Sequence, residues 1–216
     1  MKNVAIASVM IALSAGAAGA VTVANGNGSF EAPTFDSTAR WKVYDGSPGA
    51  KFISGWIVDA IGDKGGVDQV ASSWWAASDG NYSVDLNSVD AGGVSAKMDG
   101  LTIGNSYTVT FDMSGNPGGV QGVKELVTYI NYDRIRSFYY DTTGNSRKNM
   151  NWTTMSFKFT ATATAQYVSF VSAIPGTQGA AIDNVRVEMS EVPLPMSALL
   201  LLTGLGGLAA FRRKAA

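Results

Sequence analysis

The sequence predicts an all-β protein, a two-sheet antiparallel sandwich, flanked by an N-terminal signal helix and a C-terminal hydrophobic helix. Three observations lead there. Strict two-residue alternation of apolar and polar side chains recurs through the second half of the chain. No amphipathic helical pattern occurs before the last 25 residues. The middle is rich in Gly, Ser, Thr and Asn, with aromatics dispersed through it, as in many secreted all-β proteins.

The chain opens with Lys2, an apolar stretch from Val4 to Leu13, and Ala18-Gly19-Ala20. A positive residue, an apolar run and a small-residue site make a secretory signal, which predicts a mature chain starting at Val21. Residues 21–191 then suit one domain. Twelve of the 16 cationic residues and all 17 acids fall there, a balance of −5 that argues against nucleic acid as a partner. The chain has no cysteine, so a disulfide scaffold is excluded.

Residues 32–80 carry Trp41, Trp56, Trp74 and Trp75 among many Gly, Ser and Asp residues and predict short strands and long loops. Within them, the acids and glycines from Asp59 to Asp68 lack the spacing of an EF-hand loop and read as a solvated loop. Residues 82–86 and 94–98 are short strands, with a turn at Asp90-Ala91-Gly92-Gly93 between them. A further turn at residues 100–104 precedes Tyr107-Thr108-Val109-Thr110-Phe111-Asp112-Met113, whose odd positions are apolar. Residues 123–132 and 136–141 read as a hairpin joined near Asp133-Arg134. Met155-Ser156-Phe157-Lys158-Phe159-Thr160-Ala161 repeats the alternation, and residues 167–172 add another strand. Strands at this spacing favour a sandwich.

In the last strand, residues 181–189, period-two alternation places Asp183 on the face of Val185, Val187 and Met189. An acid is thereby aimed at the core, where it must be neutralised, hydrogen-bonded or bound to a cation. A second acid, Glu31, follows Phe30. If Phe30 anchors in the core, Glu31 turns to the sheet edge and could meet the last strand. The alternative for Asp183 is a turn cap or a pairing with Lys or Arg.

The tail joins Val192-Pro193-Leu194-Pro195 to an apolar run, residues 196–211, and then to Arg212-Arg213-Lys214. Sixteen helical residues reach about 24 Å, short of a ~30 Å hydrocarbon core. The cations favour the cytoplasmic side and leave the domain outside. This order resembles the PEP-CTERM class of bacterial sorting signals in its Val-Pro-Leu-Pro-Ala (VPLPA) variant, with Met196 in place of the alanine. The resemblance implies an exosortase-type processing protease as a partner, with the membrane reached through the tail. Together the two signals predict export to the cell envelope, surface or extracellular matrix.

Asn27-Gly28-Ser29-Phe30-Glu31, Tyr82-Ser83-Val84-Asp85-Leu86, Trp152 and Ile182-Asp183-Asn184-Val185, in that order, resemble the choice-of-anchor C family and related galactose-binding-like jelly rolls. The resemblance implies a jelly-roll sandwich. It also implies a structural calcium held by Glu31 and Asp183 with backbone carbonyls, within the six to eight oxygens that calcium takes.

For a ligand surface, Trp74, Trp75, Tyr132 and Tyr139 are the foremost aromatics, with Arg134 beside them as a polar contact. Aromatic faces stack on sugar rings. Neighbouring strand residues point to opposite sides, so at least one of Trp74 and Trp75 belongs to the core. With neither histidine nor cysteine, Ser-His-Asp and Cys-His catalysis are excluded, and no pair of acids is distinguished as a glycosidase pair. Two readings stand: a non-catalytic binder of envelope or matrix polysaccharide, and a structural or adhesive protein contacting proteins or itself without a sugar site.

Overall fold

The computed structural model describes residues 21–36, 38–49 and 51–190. The expected signal sequence and the expected sorting tail, residues 192–214 included, lie outside the described residues.

Among the described residues thirteen strands follow in order. They are β1 (Thr22–Val23), β2 (Trp41–Tyr44), β3 (Phe52–Ile53), β4 (Trp56–Ala60), β5 (Val67–Ala71), β6 (Tyr82–Asp85) and β7 (Gly92–Asp99). The second half adds β8 (Ser106–Gly115), β9 (Val123–Ile130), β10 (Asp133–Asp141), β11 (Thr153–Thr160), β12 (Ala165–Ser172) and β13 (Ala180–Met189). One sheet runs β10-β9-β12-β7-β4-β3, with β1 also on β7; the other runs β11-β8-β13-β6-β5-β2. Among the described residues every named strand pair is antiparallel. The only helical piece there is a 3-10 turn at Ala24–Gly26, and no helix is long and apolar enough to cross a membrane.

The alternating segments form strands for the expected reason. Tyr107, Val109, Phe111 and Met113 of β8 are buried, and Phe157 and Phe159 of β11 join them. The inner faces meet along a line of aromatic contacts. Phe30 stacks on Trp56 at 4.7 Å between centroids, Trp56 reaches Phe170 at 6.1 Å, and Phe170 meets Phe111 at 4.9 Å. Phe111 then meets Phe138 at 5.1 Å, edge to face. Each such pair contributes roughly 0.5–1.5 kcal/mol beyond its buried area, so this line ties residues distant in sequence into one core.

Two details depart from expectation. The hairpin turns at Asn131-Tyr132, both at positive φ (48° and 72°), rather than at Asp133-Arg134. Asp59 and Asp68 are not loop residues but belong to β4 and β5; Asp63, between them, is exposed as expected.

The larger correction concerns β13. Asp183 opposes Asp112 and Arg186 opposes Thr110, so two residues of β13, Asn184 and Val185, stand against one of β8. This is a β-bulge, with Asn184 at φ 54°, a left-handed conformation that asparagine tolerates better than most residues. The extra residue resets the alternation. Ile182, Val185 and Val187 point into the sandwich, and Asp183 points to the outer face of its sheet.

That outer face is covered. Val70, Trp75, Met150 and Ala181 form a second small core on it, with Trp74 and Trp152 packed alongside. Two loops supply the cover, residues 72–81 and 142–152. They hold each other through Ala76 N–H to the Arg147 carbonyl (2.9 Å) and Trp152 Nε1 to the Ala76 carbonyl (2.8 Å).

Candidate functional site

Strand register builds the site. On the outer face of the second sheet, Val43 of β2 opposes Asp68 of β5, and Asp68 opposes Asp85 of β6. Ala181 of β13 lies next across. Two carboxyls thus stand side by side on neighbouring strands, an arrangement that costs energy when both are charged.

Their surroundings differ. Asp85 is 1% exposed and accepts three hydrogen bonds: Oδ1 from the Asn87 (3.0 Å) and Gly179 (3.2 Å) amides, Oδ2 from Asn116 Nδ2 (2.7 Å). Asp68 has a buried Oδ1 with no protein partner. Burial pushes Asp85 up to about 7, against the pull of Asn116, the two amides and Lys124. Burial, and then the charge of Asp85, pushes Asp68 up to about 8. The two titrate as a coupled pair that retains a proton near neutrality.

Above this pair lies a cleft of about 350 Å³, within the range of small-ligand sites. Trp41 and Val43 of β2 form one wall, Trp74 and Val89 stand beside them, and Arg147 and Gln178 reach the rim. Trp41 is 42% exposed, with its ring 5.6 Å from that of Trp74. The Trp74 ring already carries Arg147 at 3.3 Å and Arg40 at 4.4 Å, cation on π face. The open aromatic surface is therefore that of Trp41. Another groove, of about 470 Å³ between β1 and β13, is walled largely by aliphatic and glycine residues such as Val21, Gly28 and Val187; its one aromatic, Tyr107, is buried.

The cover loop is fastened by the acids singled out as metal ligands. Asp183 Oδ2 accepts the Ser78 (2.8 Å) and Asp79 (2.9 Å) amides, and Oδ1 accepts that of Asn184 (2.7 Å). Glu31 Oε1 accepts the Asn81 (2.8 Å) and Tyr82 (2.9 Å) amides. The two carboxylates thus clasp opposite ends of the short segment 78–82, which follows the cleft wall. Asp112 adds a third hold, accepting Ser78 Oγ (2.6 Å), Asn184 Nδ2 (2.9 Å) and Thr154 Oγ1 (2.7 Å). Burial raises its pKa, but those donors and Arg186 together hold it below the usual carboxylate value. Burial pushes Asp183 up to about 7, against its amides.

N–H dipoles point their positive ends at Asp183 and at Glu31 Oε1, so both acids are engaged by backbone amides where a calcium site was expected. Glu31 also reaches the start of β6 rather than the last strand. Gly28 does meet β13, its carbonyl accepting the Val185 amide at 2.9 Å.

The residues expected to form a ligand surface divide between the sheets. Trp74 lines the cleft. Trp75 is 2% exposed, with Nε1 on Ser83 Oγ (2.7 Å), and is mainly a packing residue. Tyr132 (86% exposed), Tyr139 and Arg134 lie on the β9–β10 hairpin of the other sheet. There Arg134 Nη2 donates to Ser137 Oγ (2.7 Å), and Ser137 Oγ (2.7 Å) and Tyr139 Oη (3.1 Å) donate to Glu125. The structure does not bring this hairpin to Trp74. Sequence reasoning missed Trp41, Asp68, Asp85 and Arg147. The acid within the alternating run Tyr82-Ser83-Val84-Asp85-Leu86 was a usable signal; its pairing with Asp68 was not.

Fold and site together define a two-sheet β-sandwich with an aromatic-walled, acid-floored cleft on one outer face. The family model described as "Protein of unknown function (DUF642)" matches residues 24–188, and the chain belongs to that family. The halomucin of Haloquadratum walsbyi (strain DSM 16790 / HBSQ001) is 32% identical over 174 residues, which are 80% of this chain and only 2% of that protein's length. Among solved structures, CBM35 from Paenibacillus barcinonensis is similar at 15% identity and TM-score 0.44, over 70% of this chain and 100% of that one. TmCBM61, solved in complex with β-1,4-galactotriose, is similar at 18% identity and TM-score 0.41, over 76% of this chain and 96% of that one. At these scores the likeness is one of outline, and no ligand is carried across from it.

Proposed function

We propose that this domain is a non-catalytic glycan-binding sandwich whose seat is the cleft between Trp41 and the Asp68–Asp85 pair. One observation carries the reading: the open indole face of Trp41 and the half-buried carboxyl of Asp68 line one cleft, an apolar surface and a polar group side by side. A pyranose meets both needs, since its C–H face stacks on an aromatic ring while its hydroxyls donate to carboxylates. Catalysis is disfavoured because Asp85 is enclosed and held by three donors, out of reach of a glycosidic bond.

The export signal, the VPLPA-type tail and the choice-of-anchor C likeness extend the proposal: the domain is delivered to the cell envelope, surface or matrix, processed by an exosortase-type protease, and holds polysaccharide there. A glycan array probed with the full-length protein tests the reading. Signals lost in Trp41→Ala but kept in Tyr139→Ala support it; a blank array, or signals unmoved by Trp41→Ala, overturns it.

A second reading, a structural or adhesive protein, is favoured by β10. Among the described residues this nine-residue strand pairs only with β9, and it carries exposed Tyr139, with exposed Tyr132 in the turn before it. Open edges of this kind accept another strand. A blank array together with concentration-dependent self-association would favour it.

A further inference from the structure

The cleft is not closed at its outer end. Val43, Ser88 and Val89 line it on one side and, on the other, line a second hollow of about 710 Å³. Beyond that shared ridge stand Asp45, Asp63 and Lys64. Val43 and Val89 are 45% and 58% exposed, an apolar saddle between two basins that each carry acids and a cation. A site for a single sugar or a chain end would need a wall at this point. An open saddle instead lets a ligand pass over it, with apolar ring faces on the valines and hydroxyls in the basins on either side.

The charge along this path is also uneven. Exposed Asp45 and Asp63 face it, together with the Asp68–Asp85 pair, which shares a proton at its floor, against Lys64 and Arg147. A polyuronate would carry a carboxylate on each sugar past these acids, and like charges at close range repel. Hydroxyl groups, by contrast, carry no charge and can donate to the exposed carboxyls of Asp45 and Asp63.

We infer that the occupant is the interior of an extended, non-acidic glycan chain, seated on Trp41 and continuing over the Val43–Val89 saddle into the second hollow. The inference rests on the sugar-binding reading above and adds two properties to it, chain length and the absence of acidic groups.

Titration calorimetry on the full-length protein tests it, with cello-, manno- and galacto-oligosaccharides of one to about six sugars beside an oligogalacturonate series of the same lengths. At least one non-acidic series should bind about tenfold or more tighter at six sugars than at one, with oligogalacturonate weaker at every length. Ser47→Trp, an exposed change that fills the second hollow and lies outside the cleft, should erase the gain from length while leaving the shortest binding ligand unaffected. Trp41→Ala should weaken all lengths alike. Affinity independent of length, or a length gain that survives Ser47→Trp, overturns the extended path and leaves the cleft reading intact. Tighter binding of oligogalacturonate overturns the non-acidic class. Binding of none of the series removes the sugar reading and this inference with it.

Discussion

Asp68 and Asp85 stand directly opposite one another on β5 and β6, one with an unpaired buried oxygen and the other with three donors. Both carboxyls are raised above the ordinary value of 3.8, to about 8 and about 7. The folded protein therefore binds more protons than the unfolded chain between these limits, and stability falls as pH rises through that window. Calorimetry should show the melting temperature declining from about pH 5 to about pH 8.5. Asp68→Asn, which removes one charge from the pair, should flatten this slope and raise the melting temperature at the alkaline end.

The clasp on segment 78–82 predicts the response to metal. Because Glu31 and Asp183 are filled by amides, calcium against chelator should leave the melting temperature unchanged. Asp183→Ala should cost about 3 kcal/mol in denaturant unfolding, since three amides lose their acceptor. A rise in melting temperature with calcium that Asp183→Ala abolishes would contradict the amide assignment.

Trp41 and Trp75 should separate binding from stability. Trp75→Phe loses the Nε1 bond to Ser83 and part of the second core, and should cost about 2 kcal/mol by chemical unfolding. Trp41→Ala, at an exposed ring, should cost under about 1 kcal/mol yet remove glycan binding. The reverse pattern would place the ligand elsewhere.

Gly28 lies against the bulge of β13, where a β-carbon would collide with the Val185 carbonyl oxygen. Backbone cannot yield as a flexible side chain can. Gly28→Ala should destabilise by about 2 kcal/mol or more, measured by equilibrium unfolding. Gly26→Ala offers a contrast: nothing lies near its β-position, and only its φ of 86° opposes the change.

Much of the strand inventory was legible, because period-two burial is a local property. Tyr107, Val109, Phe111 and Met113 could be assigned to one face from their spacing alone, and they occupy it. Asp183 could not be placed that way. Its direction depends on the bulge at Asn184, and the bulge reflects both a tolerated left-handed residue and the seating of Gly28 against Val185, more than 150 positions away in the chain.

Glu31 shows the same limit. Its selection as a partner of Asp183 did bring out two acids that act on one segment, but what lies between them is a row of amides from residues 78–82, which no carboxylate pattern could reveal.

The sequence by itself determined the all-β class, most strands of the second half, and the lack of histidine and cysteine chemistry, because composition and alternation are written along the chain. Only the tertiary structure decided that Asp68 faces Asp85, that Trp41 rather than Trp75 is open, and that Glu31 and Asp183 hold a loop. Those facts follow from strand register, where a shift of one residue exchanges the faces of a sheet, and register is set by the whole core at once.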